Sequence, residues 1–424
     1  MRIRPGITVL TLLLVAAAAM RATAQPPVAT AAPASIVPPV PRLAVAATVA
    51  AAANLRAGGS AAKNYTVHVT DFGAQCNGRH DDKRALEAAL SAVHAHGGGT
   101  VLIPVGACRV VQTGASSSTA LRGPVTIKGV AAAATISLDR DVPDSFRELF
   151  KVTGREVTVS TIRLVRASAG LAVLLDIYGS HGFRMDNVVL DGRQNTIGGD
   201  GEGIELSGDA GEVISDVKIT NATITNCAYG LFQASPTLVT VHNVSVDHAT
   251  FVGNHDDDLE FNAPSSTMTT IRVTHSTFRD NTYTNPSAGA GFGVGLAHVR
   301  DALLRNNSFN GYRYDPVHIE DRSRHITVDR NTFKHSFTAP LDYASHVFII
   351  NDSHVITITG NTFDTRGNTN DIAGVYTGTG GGTAAPSDIT ITGNTFILRP
   401  HAVELANYGS PQVVLKNNTV RHVP

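Results

Sequence analysis

A short pattern recurs through the second half of this 424-residue chain: a polar stretch, an alternation of apolar and polar residues, then a tripeptide such as NTF or STF. The apolar third residue falls at Ile224, Phe251, Phe278, Phe309, Phe333, Phe363, Phe396 and Val420, at gaps of 24 to 33 residues. Self-similarity at this spacing marks a stacked architecture, because a unit so small cannot bury its own apolar face. Each unit holds short alternating segments, such as VHIE and HITVDRNTF, with no helical period between them. That excludes a doubly wound sheet, which needs crossover helices. An all-β parallel β-helix remains, with one coil per unit and equivalent strands about 4.8 Å apart. Asn307, Asn331, Asn361, Asn394 and Asn418 take the same place in five units. An Asn there tolerates a left-handed turn, and its amide can bond the amide one coil away.

The N-terminal part reads differently. Residues 1–24 carry Arg2 and Arg4, an apolar run from Ile7 to Met20 and the small-residue site Ala22-Thr23-Ala24, which predicts a signal peptide. Residues 25–63 are Ala, Pro and Val with almost no charge and predict a linker. Residues 64–424 form the expected single β-helix domain. Export to the periplasm or the extracellular space follows from the leader, with no membrane partner once it is cleaved. Removing Arg2, Arg4 and Arg21 leaves 31 basic residues against 35 acidic ones, a net charge of about −4. With no Lys or Arg patch, nucleic acid is not an expected partner.

The folded part opens with YTVHVTDFGAQCNGRHDD, a strand, a glycine turn and an acidic pair. KRALEAALSAVHAH follows with helical apolar spacing; Asp81 or Asp82 can cap that helix, and Gly97 to Gly99 end it. A helix ahead of a stack of strands suits the exposed end of a solenoid, whose bare edge would invite aggregation. The ordered set VTDFGA, Gly78, Asp81-Asp82, the Ala-rich helix, GGGTV and IPVG resembles the opening of the pectate-lyase superfamily, in its rhamnogalacturonase and epimerase-like branch. The resemblance implies a right-handed parallel β-helix with an N-terminal capping α-helix, acting on polysaccharides. Of three cysteines, Cys76 and Cys108 can tie the N-terminal region together, and Cys227 reads as a small buried side chain.

Aligning GIELS, GLFQA, DLEFN, GVGLA, VHIED, VFIIN, GVYTG and AVELA gives an outward column of Glu205, Phe232, Glu260, Gly295, His318, Phe348, Tyr376 and Glu404. Gly295 sits between Glu260 and His318 and predicts a notch about 9.6 Å across, wide enough for a sugar unit. Strict alternation puts Asp258 beside Glu260, at about 6.6 Å, and Glu320 beside His318. Carboxyls at such separations suit an inverting glycosidase. Asp258, Glu260, His318 and Glu320 are therefore the candidate catalytic residues, with Phe232, Gly295, Arg322, Phe348, Tyr376 and Asp315 as candidate substrate contacts. Outward carboxylates are also ordinary on an exposed sheet. Asp256 and Asp257 are read as facing the turn, where they bind water or calcium; no cofactor is required, and calcium is the one ion considered.

GYRYDPVHIED is similar to the YGFDPH motif of mannuronan C5-epimerases, with Val317 as an extra residue. The similarity implies Tyr314, Asp315 and His318 as catalytic residues that remove the C5 proton of a uronate, with Arg313, Arg322 or Arg324 as neutralising cations. The outward column itself carries no Lys or Arg. The leading expectation is hydrolysis of a glycosidic bond in an extracellular polysaccharide by carboxylate acid/base catalysis. Lyase or C5-epimerase chemistry on a uronate polymer is the alternative, and a non-catalytic glycan-binding β-helix is the third reading.

Overall fold

A computed structural model describes residues 65–112, 118–140, 148–167, 172–193, 201–233, 238–263, 267–282, 291–336, 345–368, 370, 372–382 and 384–424. The predicted signal peptide and linker, and residues 283–290 of a long turn, lie outside the described residues. The chain winds as a parallel β-solenoid. One wall is an 11-stranded sheet running from Thr119–Arg122 to Val403–Tyr408, and a 24-stranded sheet forms the rest of the coil. Every neighbour in the first wall is parallel, as coil-on-coil stacking demands.

The recurring tripeptide is the spine of the stack. Phe251, Phe278, Phe309, Phe333, Phe363 and Phe396 are register partners and fully buried. Their rings stack face to face at centroid distances of 4.9, 4.8, 5.0, 5.0 and 4.8 Å. Burying each ring contributes about 1.5–3 kcal/mol, which a short strand with little other apolar content requires.

Beside this spine runs the asparagine ladder. The side-chain amides of Asn307, Asn331, Asn361 and Asn394 each donate to the Oδ1 of the next Asn at 3.0, 3.0, 3.0 and 3.1 Å. Each Oδ1 also accepts a backbone N–H from the preceding coil, as Asn361 Oδ1 does from Asn331 at 2.8 Å. The expected left-handed geometry falls one residue earlier, on Asn306, Arg330, Gly360, Gly393 and Asn417, with φ between 54° and 67°. The corner strain is thus carried by the residue before the ladder, which leaves the ladder amide free to turn inward and satisfy buried backbone groups.

At the N-terminal end, the helix Lys83–Ala95 buries Ala85, Leu86, Ala89, Leu90 and Val93 and packs against strands Thr66–His68, Gly99–Ile103 and Thr119–Arg122. Asp82 stands at the N-cap but makes no cap bond; its carboxylate accepts the N–H groups of Gln75, Cys76 and Arg109. Asp81 takes the Lys83 N–H instead, at 3.1 Å. A disulfide joins Cys76 to Cys108. Cys227 is buried, and burial pushes its thiol up to about 12, which makes it inert.

Candidate active site on the outer wall

Successive strands of the 11-stranded wall place Glu205, Phe232, Glu260, Gly295, His318, Phe348 and Tyr376 in one register column. The column continues back through Asp176 and Lys151 to Ala120. Its far end differs from the sequence alignment. Leu405 pairs with Val375, so the partner of Tyr376 is Ala406, and Glu404 lies two residues out of the column.

Glycine at 295 does not leave an open notch. A β-carbon there would lie 2.3 Å from His318 Nε2 and 2.9 Å from Asp257 Oδ2. The imidazole therefore lies over the glycine and reaches a carboxylate two strands away. His318 Nε2 is 2.7 Å from Asp257 Oδ2, and His318 Nδ1 is 2.7 Å from Glu320 Oε1. All three side chains are buried, at 5–7% exposure. Glu260 is half-buried beside them and accepts a bond from Asn262 at 2.9 Å. Sequence reasoning found three of these four residues and missed Asp257, which it assigned to the turn.

Asp258 is the principal correction. It is fully buried, accepting from Asn254 at 2.7 Å and from the Tyr312 hydroxyl, so it does not share the outer face with Glu260. The reason lies in how each coil enters this wall. The residue two places before the column points at the phenylalanine spine: a β-carbon on Gly230 would meet Phe251 at 2.6 Å, one on Gly374 would meet Phe396 at 2.3 Å, and the His346 ring sits 5.8 Å from Phe333. The next residue, Leu259 in this coil, is also in the core. Two successive inward residues break the period of two, and the residue three places before the column, Asp257, emerges outside. The signal was present in GIELS, GLFQA, GVGLA and GVYTG, which all begin with the glycine that this slot favours.

A family model described as a right-handed β-helix region matches residues 157–333, a span that holds Asp257, Glu260, Gly295, His318 and Glu320. That match agrees with the parallel solenoid: this part of the chain is a right-handed β-helix. Alginate lyase 7 of Azotobacter vinelandii is 29% identical to it over 155 residues, 36% of this chain and 16% of the relative. Mannuronan C5-epimerase AlgE6 of the same bacterium is 42% identical over 71 residues, 16% of this chain and 8% of the relative. The matched stretches thus span a small part of either relative. A tailspike protein mutant of E. coli bacteriophage HK620, solved in complex with a pentasaccharide, superposes with a TM-score of 0.53 at 16% identity, covering 83% of this chain and 65% of that chain. That likeness is one of fold.

Charge at the centre of this β-helix is set by burial against partners. Burial disfavours the imidazolium of His318, but the Asp257 charge and the bonds to Asp257 and Glu320 outweigh it and hold His318 well above the ordinary value. Burial raises Asp257, opposed by His318. Glu260 is pushed up to about 8 by burial and then by the Asp257 charge, so it keeps its proton at neutral pH. Asp315 is raised to about 7 by burial; its carboxylate is held by the Ser345 hydroxyl at 2.8 Å rather than facing open solvent.

The remaining candidates fall around this cluster. Tyr314 stacks on Phe292 at 4.8 Å, and Phe292 packs tilted against His318 at 5.1 Å. The Arg313 guanidinium lies 5.1 Å from the Tyr314 ring centre. Arg322 is exposed in the left-handed turn after Glu320. Phe348, Tyr376 and Tyr408 stack in a row at 4.8 and 5.2 Å, and Phe232 stacks on Tyr229 at 4.2 Å. Because these rings stack on each other, Phe348 and Tyr376 turn edges and a hydroxyl outward rather than open ring faces.

The buried Asp258 makes a stability prediction. Burial raises it to about 7 despite its bonds to Tyr312 and Asn254, so the folded state holds its proton more tightly than the unfolded chain does. That contribution is whole below the unfolded value near 3.8 and is lost as pH rises from there to about 7, by about 1.4 kcal/mol per pH unit, with no further loss once both states are ionised. Asp258→Asn is neutral throughout and should flatten the fall in urea-melt stability between about pH 4 and pH 7 by that slope. Identical slopes in the two proteins would place the titration elsewhere.

Proposed function

We propose that this β-helix removes the C5 proton of a uronate residue within a polysaccharide, the step shared by lyases and C5-epimerases. The observation that carries the reading is the buried His318, held between Asp257 and Glu320 next to a Glu260 that retains its proton. Removing the C5 proton sends negative charge onto the sugar carboxyl group, and that charge must be met by fixed donors. The His318 imidazolium and the Glu260 carboxylic acid supply a positive charge and a hydrogen bond. The bare count of acidic residues on this wall argues against a uronate, but the protonation of Glu260 and His318 removes that objection. Tyr314, held beside His318 through Phe292, is the phenol placed to pass a proton to or from the sugar. In elimination the Tyr314 phenolate takes the C5 proton, the C4=C5 double bond forms as the C4–O4 bond breaks, and the resulting phenol hands that proton to the leaving O4; in epimerisation Tyr314 keeps the proton and a solvent proton reaches C5 from the other face.

The glycosidase reading required Asp258 and Glu260 on one face. With Asp258 buried that pair is gone, and the named relatives, a lyase and an epimerase, support the alternative. Export through the 1–24 leader, the 25–63 linker, the helix Lys83–Ala95 as cover for the first coil, and a polysaccharide partner belong to the same proposal.

Its test is incubation of the purified chain with polymannuronate, mixed alginate, polygalacturonate and a neutral glucan. Ultraviolet absorbance, proton NMR and reducing ends are scored together. We expect unsaturated ends or inverted C5 centres on at least one uronan. Reducing ends without absorbance would restore hydrolysis, and retention of a polymer with no chemical change would make the wall a binding surface.

A further inference from the structure

We propose that Asp247, His248 and His275 form a zinc-binding site at the corner between strands Thr240–Asp247 and Thr250–Val252, on a different edge of the solenoid from the His318 cluster. The ligating atoms of the three side chains lie within 4.8 Å of one another. His248 Nδ1 is 2.8 Å from Asp247 Oδ2, and His275 Nδ1 is 2.9 Å from Asp247 Oδ1. Both imidazoles thus aim the same nitrogen at one carboxylate.

The convergence is built by the coil stack. His248 and His275 are the left-handed corner residues of successive coils, with φ of 52° and 48°. Each N–H is pinned to the coil below, His248 to the Thr274 carbonyl at 3.2 Å and His275 to the Arg305 carbonyl at 3.1 Å. Their rings stack at 4.9 Å with 22° between planes, which keeps the two nitrogens side by side. The Thr274 hydroxyl holds the carboxylate at 2.5 Å. Both histidines are exposed, at 60% and 46% of their side chains, so an ion can reach them from solvent.

Two imidazoles and one carboxylate favour a borderline transition metal over calcium, which takes oxygen ligands. Tetrahedral zinc with bonds of about 2.0–2.1 Å needs ligand atoms about 3.4 Å apart. Opening the present bonds by about half an ångström would admit it, with water as fourth ligand. Asn306 supplies the outer support: its side-chain amide lies 3.0 Å from His275 Nε2. In the metal-free corner the amide N–H donates there, which leaves the His275 proton on Nδ1 facing Asp247. With zinc on Nδ1 the proton moves to Nε2 and the flipped amide accepts it through Oδ1. The ion would add a metal link between two coils already joined at this edge by backbone bonds, ring stacking and the bonds of Asp247 to Thr274 and His275.

The experiment is calorimetric titration of the tag-free full chain with zinc chloride near pH 7.5, paired with thermal melts and with no polysaccharide present. Failure here is thus separate from failure of the uronan reading. We expect one saturable equivalent and a zinc-dependent rise in melting temperature. Both should be lost in His248→Ala and in His275→Ala, and affinity should fall by about tenfold in Asn306→Ala. His325→Ala, which removes an exposed histidine 3.0 Å from Asp301, should bind as wild type. Absence of a saturable equivalent in the wild type, or binding that survives both histidine changes, would overturn the assignment.

Discussion

His318→Gln is expected to lower turnover on the responsive uronan by about a hundredfold to ten-thousandfold, the range for removing a group that governs proton transfer and transition-state charge. Glutamine carries no positive charge, and its amide presents one donor group where the imidazolium presents two opposed N–H groups. Asp257 and Glu320 would face each other without the cation that sits 2.7 Å from each. Stripping one partner from a buried ionic cluster commonly costs about 3–5 kcal/mol, so melting temperature and polymer retention have to be measured alongside rate. A folded variant that binds polymer and has lost the rate is the expected outcome. A folded variant with wild-type turnover would remove His318 from the chemistry.

Glu260→Gln separates the proposed role from the older one. If the Glu260 carboxyl acts as a hydrogen-bond donor, activity is whole below its pKa of about 8 and falls about tenfold per pH unit above it, as the proton is lost. The amide of glutamine donates at every pH, so the variant should stay active beyond pH 8, where the wild type fades, and overtake it there. Were Glu260 a general base or a nucleophile, the amide would be inactive at all pH values. The two pH profiles therefore have opposite shapes on the alkaline side.

The stacking was open to reading from the chain because the spine residues, from Phe251 to Phe396, carry both the repeat and the packing. The same registration put Glu260, Gly295 and His318 on one outer column, where the strand pairing has them. What the sequence hid was the entry of each coil into that wall. Period-two logic sent Asp258 outward and left Asp257 in the turn, whereas two consecutive inward positions reverse them. Asp258 occupies a slot that other coils give to glycine, and only its bonds to Tyr312 and Asn254 make a carboxyl tolerable there. Gly295 was rightly singled out for the wrong reason: it makes room for an imidazole, not for a sugar. The glycosidase expectation rested on those two misreadings. In GYRYDPVHIED, the segment similar to an epimerase motif, the extra Val317 lies in the core and His318 on the outer column.

Each coil contributes one letter to the column from Ala120 to Ala406, while its sequence neighbours fill the interior. A replacement at one of those letters changes what the wall presents to its surroundings and leaves the spine and the ladder untouched. The outward column and the spine are written on separate positions of the same coils, so the wall's outer chemistry can change by single substitutions while the spine stays as it is.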